Sequence, residues 1–219
     1  MNLTTVLLDA GGVLLDEAEM ETSRAAATAR FLTEQGHEYT QDRYWADIEE
    51  AVHAFCADTY LYVFRKYGAE YEAFEEGWRP SRPPLRLMEG MAGELPALAR
   101  RFQVGIAGQY GAEVLDLLED HGLLGCLAWR FTQDDFTLTK PDPRYFQQIV
   151  DACGVDAREC LLVGDRIDKD VIPARQLGMR TIRIRVGLHR NQRPRDPSEA
   201  PDVELESVVG LADAAAQLA

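Results

Sequence analysis

Two aspartates and a lysine lie where predicted strands and helices meet, and these side chains could do chemistry. Asp9 follows the β-branched and aliphatic run 4–8, and Asp165 follows the aliphatic run 160–163 with one glycine between them. Lys140 precedes the sequence Pro-Asp-Pro, which places it at a loop-to-helix boundary. Clustered carboxylates repel one another unless a cation neutralises them, and their hard oxygen ligands suit Mg²⁺. We therefore expect Asp9 and Asp165 to bind Mg²⁺, and Lys140 to hold a phosphoryl group or an aspartate in place.

An alternation of strands and helices must position these residues. The predicted strands are residues 4–8, 103–107, 126–131, 160–163, 181–186 and 203–205, and the helices between and after them are residues 94–101, 112–121, 143–153, 171–177 and 207–218. Such alternation is typical of an α/β fold with a doubly wound parallel sheet. Because ligands bind at the carboxyl ends of parallel strands, Asp9, Gly108 and Asp165 are expected to meet in one crevice.

A helical block interrupts the alternation after the first strand. Residues 17–78 are rich in alanine, glutamate and arginine, with aromatic residues at helical spacing. Gly36 and Gly68 lie where helices would end and Thr40 suits a helix N-cap, so we predict about three helices. The proline-rich segment 80–84 predicts a linker that returns to the core. The expected division is a core domain of residues 1–16 and 85–219 and a helical subdomain of residues 17–84.

The composition narrows the class of protein. With 219 residues, of which 46% are hydrophobic, the chain can bury a sizeable core. A net charge of −14 would repel a phosphodiester backbone, so nucleic acid is not an expected partner. No apolar run approaches membrane-spanning length and no basic leader precedes an apolar segment, so we expect no membrane partner and a cytoplasmic location.

The cysteines and a cluster of basic residues show no spacing typical of a site. Four cysteines lie far apart and are expected to be reduced and mostly buried, namely Cys56, Cys126, Cys153 and Cys160. A basic tract in this acidic chain is expected to be a solvated loop without an assigned role, and it comprises Arg183, Arg185, His189, Arg190, Arg193 and Arg195.

The order of the motifs resembles that of the haloacid dehalogenase-like (HAD) hydrolase superfamily. This family has a strand-end aspartate, a strand-end serine or threonine, a lysine and a terminal acidic pair. Residues 8–14 (LDAGGVL) are similar to the first motif, residues 140–143 (KPDP) to the third, and Gly164 and Asp165 with Asp170 to the fourth. Family-like sequence covers nearly the whole chain, and the helical block has the position and size of the family's small helical cap.

The resemblance implies a Rossmann-like core and the hydrolysis of a small phosphorylated metabolite. Asp9 would attack phosphorus and form an aspartyl-phosphate, Lys140 would stabilise the charge, and water would then release phosphate. Asp165 and Asp170 would be the acids of a Mg²⁺ site that also includes Asp9 and the backbone carbonyl of Gly11. A carboxylate can act as a covalent nucleophile when a metal and a cation stabilise the phosphoryl oxygens.

Two positions depart from the family pattern. Gly11 stands where the family's phosphatases usually have a second aspartate that protonates the leaving group, and loss of a general acid commonly costs about 10²- to 10⁴-fold in rate. Gly108 stands where a serine or threonine binds phosphate, which removes a charge-assisted hydrogen bond of about 1.5–3 kcal/mol. The amide of Gln109 is expected to compensate. The predicted phosphate-binding residues are Gly11, Gly12, Gly108, Gln109 and Lys140.

Other functions fit the sequence less well. The main alternative is a non-catalytic binding protein that retains the fold, for which Gly11 and Gly108 are the evidence. A 2-haloacid dehalogenase would use Asp9 without a metal, whereas the fourth motif here has the acidic, metal-binding form. A dinucleotide site over residues 105–111 would require glycine in place of Ile106. A serine hydrolase would require a Gly-x-Ser-x-Gly sequence, which is absent.

Overall fold

A parallel β-sheet forms the centre of the larger part of the molecule. The computed structural model describes residues 3–219. Within them the strands are β1 (Thr5–Leu8), β2 (Gln103–Ile106), β3 (Cys160–Gly164), β4 (Arg180–Ile184) and β5 (Val203–Leu205). All neighbouring pairs are parallel, in the order β2-β1-β3-β4-β5. This order confirms the predicted doubly wound α/β sheet.

Helices follow the first strand and then alternate with the others. They are α1 (Ala18–Glu34), α2 (Gln41–His53), α3 (Thr59–Lys66), α4 (Tyr71–Trp78), α5 (Met91–Ala99), α6 (Glu113–Asp120), α7 (Pro143–Cys153), α8 (Ile172–Gln176) and α9 (Leu211–Leu218). Compared with the predicted bounds, α5 begins three residues earlier and α9 four residues later, whereas α7 has the bounds we predicted. None of the helices in residues 3–219 is long and apolar enough to cross a membrane.

The chain divides into two compact units. The larger unit comprises residues 1–16, 85–186 and 193–219, and the smaller comprises residues 17–84 and 187–192. The second segment of the smaller unit differs from our predicted division, which placed residues 187–192 in the core domain. Leu188 packs against the apolar cluster of the smaller unit, and Asn191 donates a hydrogen bond to Glu49 of α2 at 3.3 Å.

The smaller unit contains four helices, whereas we predicted about three. Gly36 and Gly68 follow helices with positive φ, and Thr40 caps α2 by accepting a hydrogen bond from the Arg43 N–H. The additional break lies between α2 and α3, where Phe55 adopts a φ of 56° and Asp58 caps α3. Sequence patterns missed this break because neither glycine nor proline marks it.

One predicted strand is absent. Residues 126–131 do not form a strand of the sheet; a 3₁₀ turn covers Leu124–Cys126, and a single bridge joins Trp129 to Gly105 of β2. The N–H groups of Ala128 and Trp129 both donate to the carbonyl of Val104, so this segment covers the edge of the sheet without extending it.

Both faces of the sheet are buried. Val6 and Leu8 belong to an apolar cluster that includes residues of α5, α6 and α9, and Leu7 belongs to a second cluster with residues of α7 and α8. This two-sided burial explains why β1 and β3 are continuous apolar runs in the sequence. The acidic residues Asp9 and Asp165 therefore lie directly after the carboxyl ends of β1 and β3.

Candidate active site

Three aspartates meet at the carboxyl ends of β1 and β3. Asp9 directly follows β1, Asp165 directly follows β3, and Asp170 lies in the π-helical turn Ile167–Val171. One carboxylate oxygen of each lies within 4.8 Å of the others. We predicted that the segment after β3 enters a helix at residue 171. The π-helical turn begins earlier, at Ile167, and it places Asp170 near the end of β1.

Lys140 joins two of these aspartates. Its Nζ donates to Asp9 Oδ1 at 2.8 Å and to Asp170 Oδ1 at 2.6 Å, with only 3% of the lysine side chain exposed. Burial lowers the pKa of Lys140, but the charges of Asp170 and Asp9 outweigh burial, so the pKa lies above its ordinary value. The chain passes from the Lys140 loop into α7 because Asp142 caps this helix and Pro143 supplies its first residue.

The cluster has an excess of negative charge. Burial, reinforced by the charge of Asp170, raises the pKa of Asp165 to about 7. Burial also raises the pKa of Asp170, although the charge of Lys140 opposes it. Three carboxylates with one lysine in a buried position are a suitable donor set for a hard divalent cation. The residues present therefore fit a Mg²⁺ ion.

Two glycines allow the aspartates to approach so closely. A Cβ on Gly164 would overlap the side chain of Asp170, and a Cβ on Gly12 would lie 3.0 Å from Cβ of Asp165. Gly12 also has a φ of 68°, which favours glycine. We predicted that Gly12 binds phosphate; its N–H donates to the Leu15 carbonyl at 3.1 Å.

Backbone N–H groups lie close to Asp9, just beyond the ends of β1 and β2. Across residues 3–219, no protein acceptor is found for the N–H groups of Ala10, Gly11, Gly108 and Gln109. Such groups at the end of a sheet can bind an anion, and we call these four N–H groups the cradle. The Asp9 side chain is 13% exposed, more than those of Lys140 and Asp170, so it can meet a ligand at the cradle.

Gly108 lies in very close contact with the first motif. A Cβ at this position would lie 2.6 Å from both Cβ and N of Ala10, and 3.0 Å from Oδ1 of Asp9. These distances exclude the serine or threonine of the family pattern at this backbone geometry. Close packing against Ala10 therefore explains why glycine stands at position 108, and the sequence did not reveal this.

A buried tyrosine lies behind the same loop. The hydroxyl of Tyr145, on α7, donates to the carbonyl of Ala107 at 3.3 Å and to that of Gly108 at 3.2 Å. Burial raises the pKa of Tyr145 to about 12, so the hydroxyl remains protonated at neutral pH. The sequence pattern did not single out Tyr145, because its helical spacing is equally typical of a core residue.

Arg183 was also missed, since we assigned it to a solvated basic tract. It lies in β4 with 1% of its surface exposed, donates from Nε to the Asp165 carbonyl at 3.1 Å, and pairs with Glu204 at 2.9 Å. Burial lowers its pKa. Elsewhere in the tract, His189 is buried and two further arginines pair with glutamates, namely Arg185 with Glu206 and Arg195 with Glu199. The expectation of a solvated loop was therefore wrong for Arg183 and His189, which are buried, whereas Arg195 is exposed as we expected.

Comparison with known proteins supports the expected family. Residues 137–211 match the HAD-hydrolase-like family. The chain is similar to a glyceraldehyde 3-phosphate phosphatase from Methanopyrus kandleri, with 36% identity over 86 residues, which are 39% of this chain and 37% of that protein. The chain therefore spans little more than a third of the length of this curated relative.

Solved structures match nearly the whole chain. The magnesium-bound HAD-hydrolase YfnB from Bacillus subtilis has a TM-score of 0.69 and 19% identity, covering 98% of this chain and 99% of that one. A 2-haloacid dehalogenase from Pseudomonas syringae pv. Tomato has a TM-score of 0.60 and 22% identity, covering 99% and 100%. At these identities the likeness shows the fold and not the reaction. The chain therefore has the fold of these haloacid dehalogenase-like proteins, and residues 137–211, about a third of the chain, match the HAD-hydrolase-like family.

Proposed function

We propose that this chain is a Mg²⁺-dependent phosphatase of small phosphorylated metabolites that acts through an aspartyl-phosphate at Asp9. The observation that supports this most strongly is the cluster in which Asp9, Asp165 and Asp170 approach within 4.8 Å and Lys140 bridges two of them. The helical subdomain 17–84 would serve as the cap. The match to a glyceraldehyde 3-phosphate phosphatase is consistent with a phosphorylated substrate.

Asp9 is held in a suitable orientation for attack. Lys140 binds its Oδ1, whereas in residues 3–219 no hydrogen-bond donor is found for its Oδ2. Oδ2 would form a bond to phosphorus while the bond to the leaving oxygen breaks, and the leaving oxygen takes that electron pair. Water would then attack the aspartyl-phosphate and release inorganic phosphate, which regenerates the Asp9 carboxylate.

The backbone cradle and Lys140 would stabilise the phosphoryl oxygens. The N–H groups of Ala10, Gly11, Gly108 and Gln109 are fixed donors next to Asp9, which is the arrangement that stabilises developing negative charge. Asp9, Asp165 and Asp170 would hold the metal. When bound, Mg²⁺ supplies positive charge that offsets the repulsion between the aspartate and the phosphoryl group.

Gly11 sets a preference among leaving groups. It has no side chain to protonate the departing oxygen, so a leaving group that is stable as an anion reacts without assistance. We expect acyl and aryl phosphates to react faster than alkyl phosphates such as glyceraldehyde 3-phosphate. The ratio of these rates measures how much general-acid catalysis the site lacks.

Turnover of an aryl phosphate with and without Mg²⁺ tests the proposal, with Asp9→Asn as the test variant. Asp151→Asn on the exposed side of α7 is the matched control, because it makes the same chemical change away from the site. We expect metal-dependent turnover that Asp9→Asn lowers at least about 10³-fold and Asp151→Asn leaves intact. Turnover that survives Asp9→Asn would overturn the mechanism.

A non-catalytic binding protein is the second candidate, and Gly11 is the observation that favours it. In that case inorganic phosphate would bind in the presence of Mg²⁺ while a broad panel of phosphate esters remained intact. Metal-independent release of halide from a 2-haloacid would instead indicate a dehalogenase. The same purified protein distinguishes these three outcomes.

A further inference from the structure

The hydroxyl of Tyr145 contacts two consecutive peptide units. It lies 3.3 Å from the carbonyl oxygen of Ala107 and 3.2 Å from that of Gly108. One hydroxyl proton is shared between two acceptors, which accounts for distances longer than those of a single O–H···O bond. The hydroxyl therefore restrains both peptide planes together.

These peptide units are the ones that contribute N–H groups to the cradle. The carbonyl of Ala107 belongs to the same peptide unit as the N–H of Gly108, and the carbonyl of Gly108 to the same unit as the N–H of Gln109. In a planar trans peptide the C=O and N–H bonds point in opposite directions. A donor that holds both carbonyls on one side therefore directs both N–H groups to the other side.

The Tyr145 ring is itself fixed. It is 1% exposed and packs edge-on against Phe136 and Phe146, with ring centroids 5.8 and 5.3 Å away. The backbone N–H of Tyr145 donates to the Asp142 carbonyl at 2.9 Å, and Asp142 lies in the same short segment as Lys140. One short segment therefore positions both the lysine and the loop of the second motif.

We propose that Tyr145 is a positioning residue that orients the Gly108 and Gln109 N–H groups towards the phosphoryl group. The proposal rests on the proposed function, since it concerns how the same site binds phosphate. It explains how a strand end without the serine or threonine hydroxyl still presents ordered donors. Tyr145 acts through the backbone and does not itself contact the substrate.

Tyr145→Phe removes the hydroxyl and keeps the ring. Tyr39→Phe is the matched control, because Tyr39 is also buried and its hydroxyl donates to a single partner, Asp47, in the smaller unit. The probe is inorganic phosphate in Mg²⁺-containing buffer. Calorimetry measures its Kd without requiring turnover, and ¹H–¹⁵N spectra measure the phosphate-induced shifts of the Gly108 and Gln109 amides.

We expect Tyr145→Phe to weaken phosphate binding about tenfold and to abolish the two amide shifts. The KM for an aryl phosphate would rise in parallel, and Tyr39→Phe would change none of these values by more than about twofold. Unchanged Kd and amide shifts in a folded Tyr145→Phe protein would overturn the role of Tyr145 alone. Failure of the wild-type protein to bind phosphate would overturn the proposed function as well.

If Tyr145→Phe fails to fold, the ¹H–¹⁵N spectra of the wild-type protein with phosphate still test the proposal. The proposal requires that phosphate shifts the Gly108 and Gln109 amides together, because one hydroxyl holds both peptide units. Phosphate binding that leaves both amides unshifted would overturn it.

Discussion

Placing serine at position 108 should damage the site, although the family pattern has serine or threonine there. The added Cβ would lie 2.6 Å from both Cβ and N of Ala10. The backbone nitrogen cannot rotate away as a flexible side chain could, so β1 and β2 must separate at their ends. Overpacking of this kind costs about 1–3 kcal/mol in the free energy of unfolding. For a chain of this length, that corresponds to a fall in Tm of about 2–12 °C.

Two further variants sharpen this prediction. Gly93→Ser, in α5, is the matched control because a Cβ at Gly93 has no atom within 4 Å, so its Tm should not fall. Ala10→Gly combined with Gly108→Ser removes the contact with the Ala10 Cβ but leaves the contact with its nitrogen. We therefore expect the double variant to remain less stable than the wild type.

Thermal unfolding and the Kd for inorganic phosphate measure the two consequences. Gly108→Ser should lower Tm and weaken phosphate binding, because separation of the strand ends displaces the Gly108 N–H from the cradle. A Gly108→Ser protein with unchanged Tm and tighter phosphate binding would refute the reasoning. That result would mean that the hydroxyl can be accommodated and that only its absence limits the site.

Three other substitutions test separate parts of the structure. Lys140→Met should lower the free energy of unfolding in urea by about 3–5 kcal/mol, because it leaves the buried carboxylate of Asp170 unpaired. A loss of free energy smaller than that caused by the same substitution of an exposed lysine would contradict this. Gly11→Asp should raise alkyl phosphate turnover by up to about 10²-fold relative to aryl phosphate turnover, because the new carboxyl group can protonate the leaving oxygen. The backbone allows this substitution, since Gly11 does not have a positive φ. An unchanged ratio of alkyl to aryl phosphate turnover would contradict the idea that the site lacks a general acid. Burial raises the pKa of Glu21, so the wild type should lose stability relative to Glu21→Gln as pH rises above about 4.3, and a pH-independent difference in Tm would contradict it.

Local chain chemistry made much of the fold predictable. Asp142 with Pro143 begins α7 and Gly154 ends it, and these signals depend only on neighbouring residues. The break before α3 was missed, since Phe55 adopts a positive φ without being glycine. The apolar run near residue 129 was mistaken for a strand because local pattern does not say how many hydrogen bonds a neighbouring edge will form.

The sequence alone singled out the residues that we propose to carry the chemistry. Asp9, Asp165 and Lys140 stand at the ends of apolar runs, and parallel strands bring such ends to one edge of the sheet. Their order also matched a known family, which added Asp170. No comparable signal in the helical subdomain indicates a substrate, because substrate selectivity depends on side chains whose neighbours are distant in sequence.

Only the tertiary structure decided how these residues are held. Gly108 looked like a lost hydroxyl in the sequence, but it is a point of contact with Ala10 where no Cβ fits. Tyr145 and Arg183 looked like a core residue and a solvated charge, yet each donates to a backbone carbonyl of the site. Contacts between segments that are far apart in the sequence produce no local periodicity. The sequence pattern indicates which face of an element is buried, but it does not indicate which atoms that face contacts.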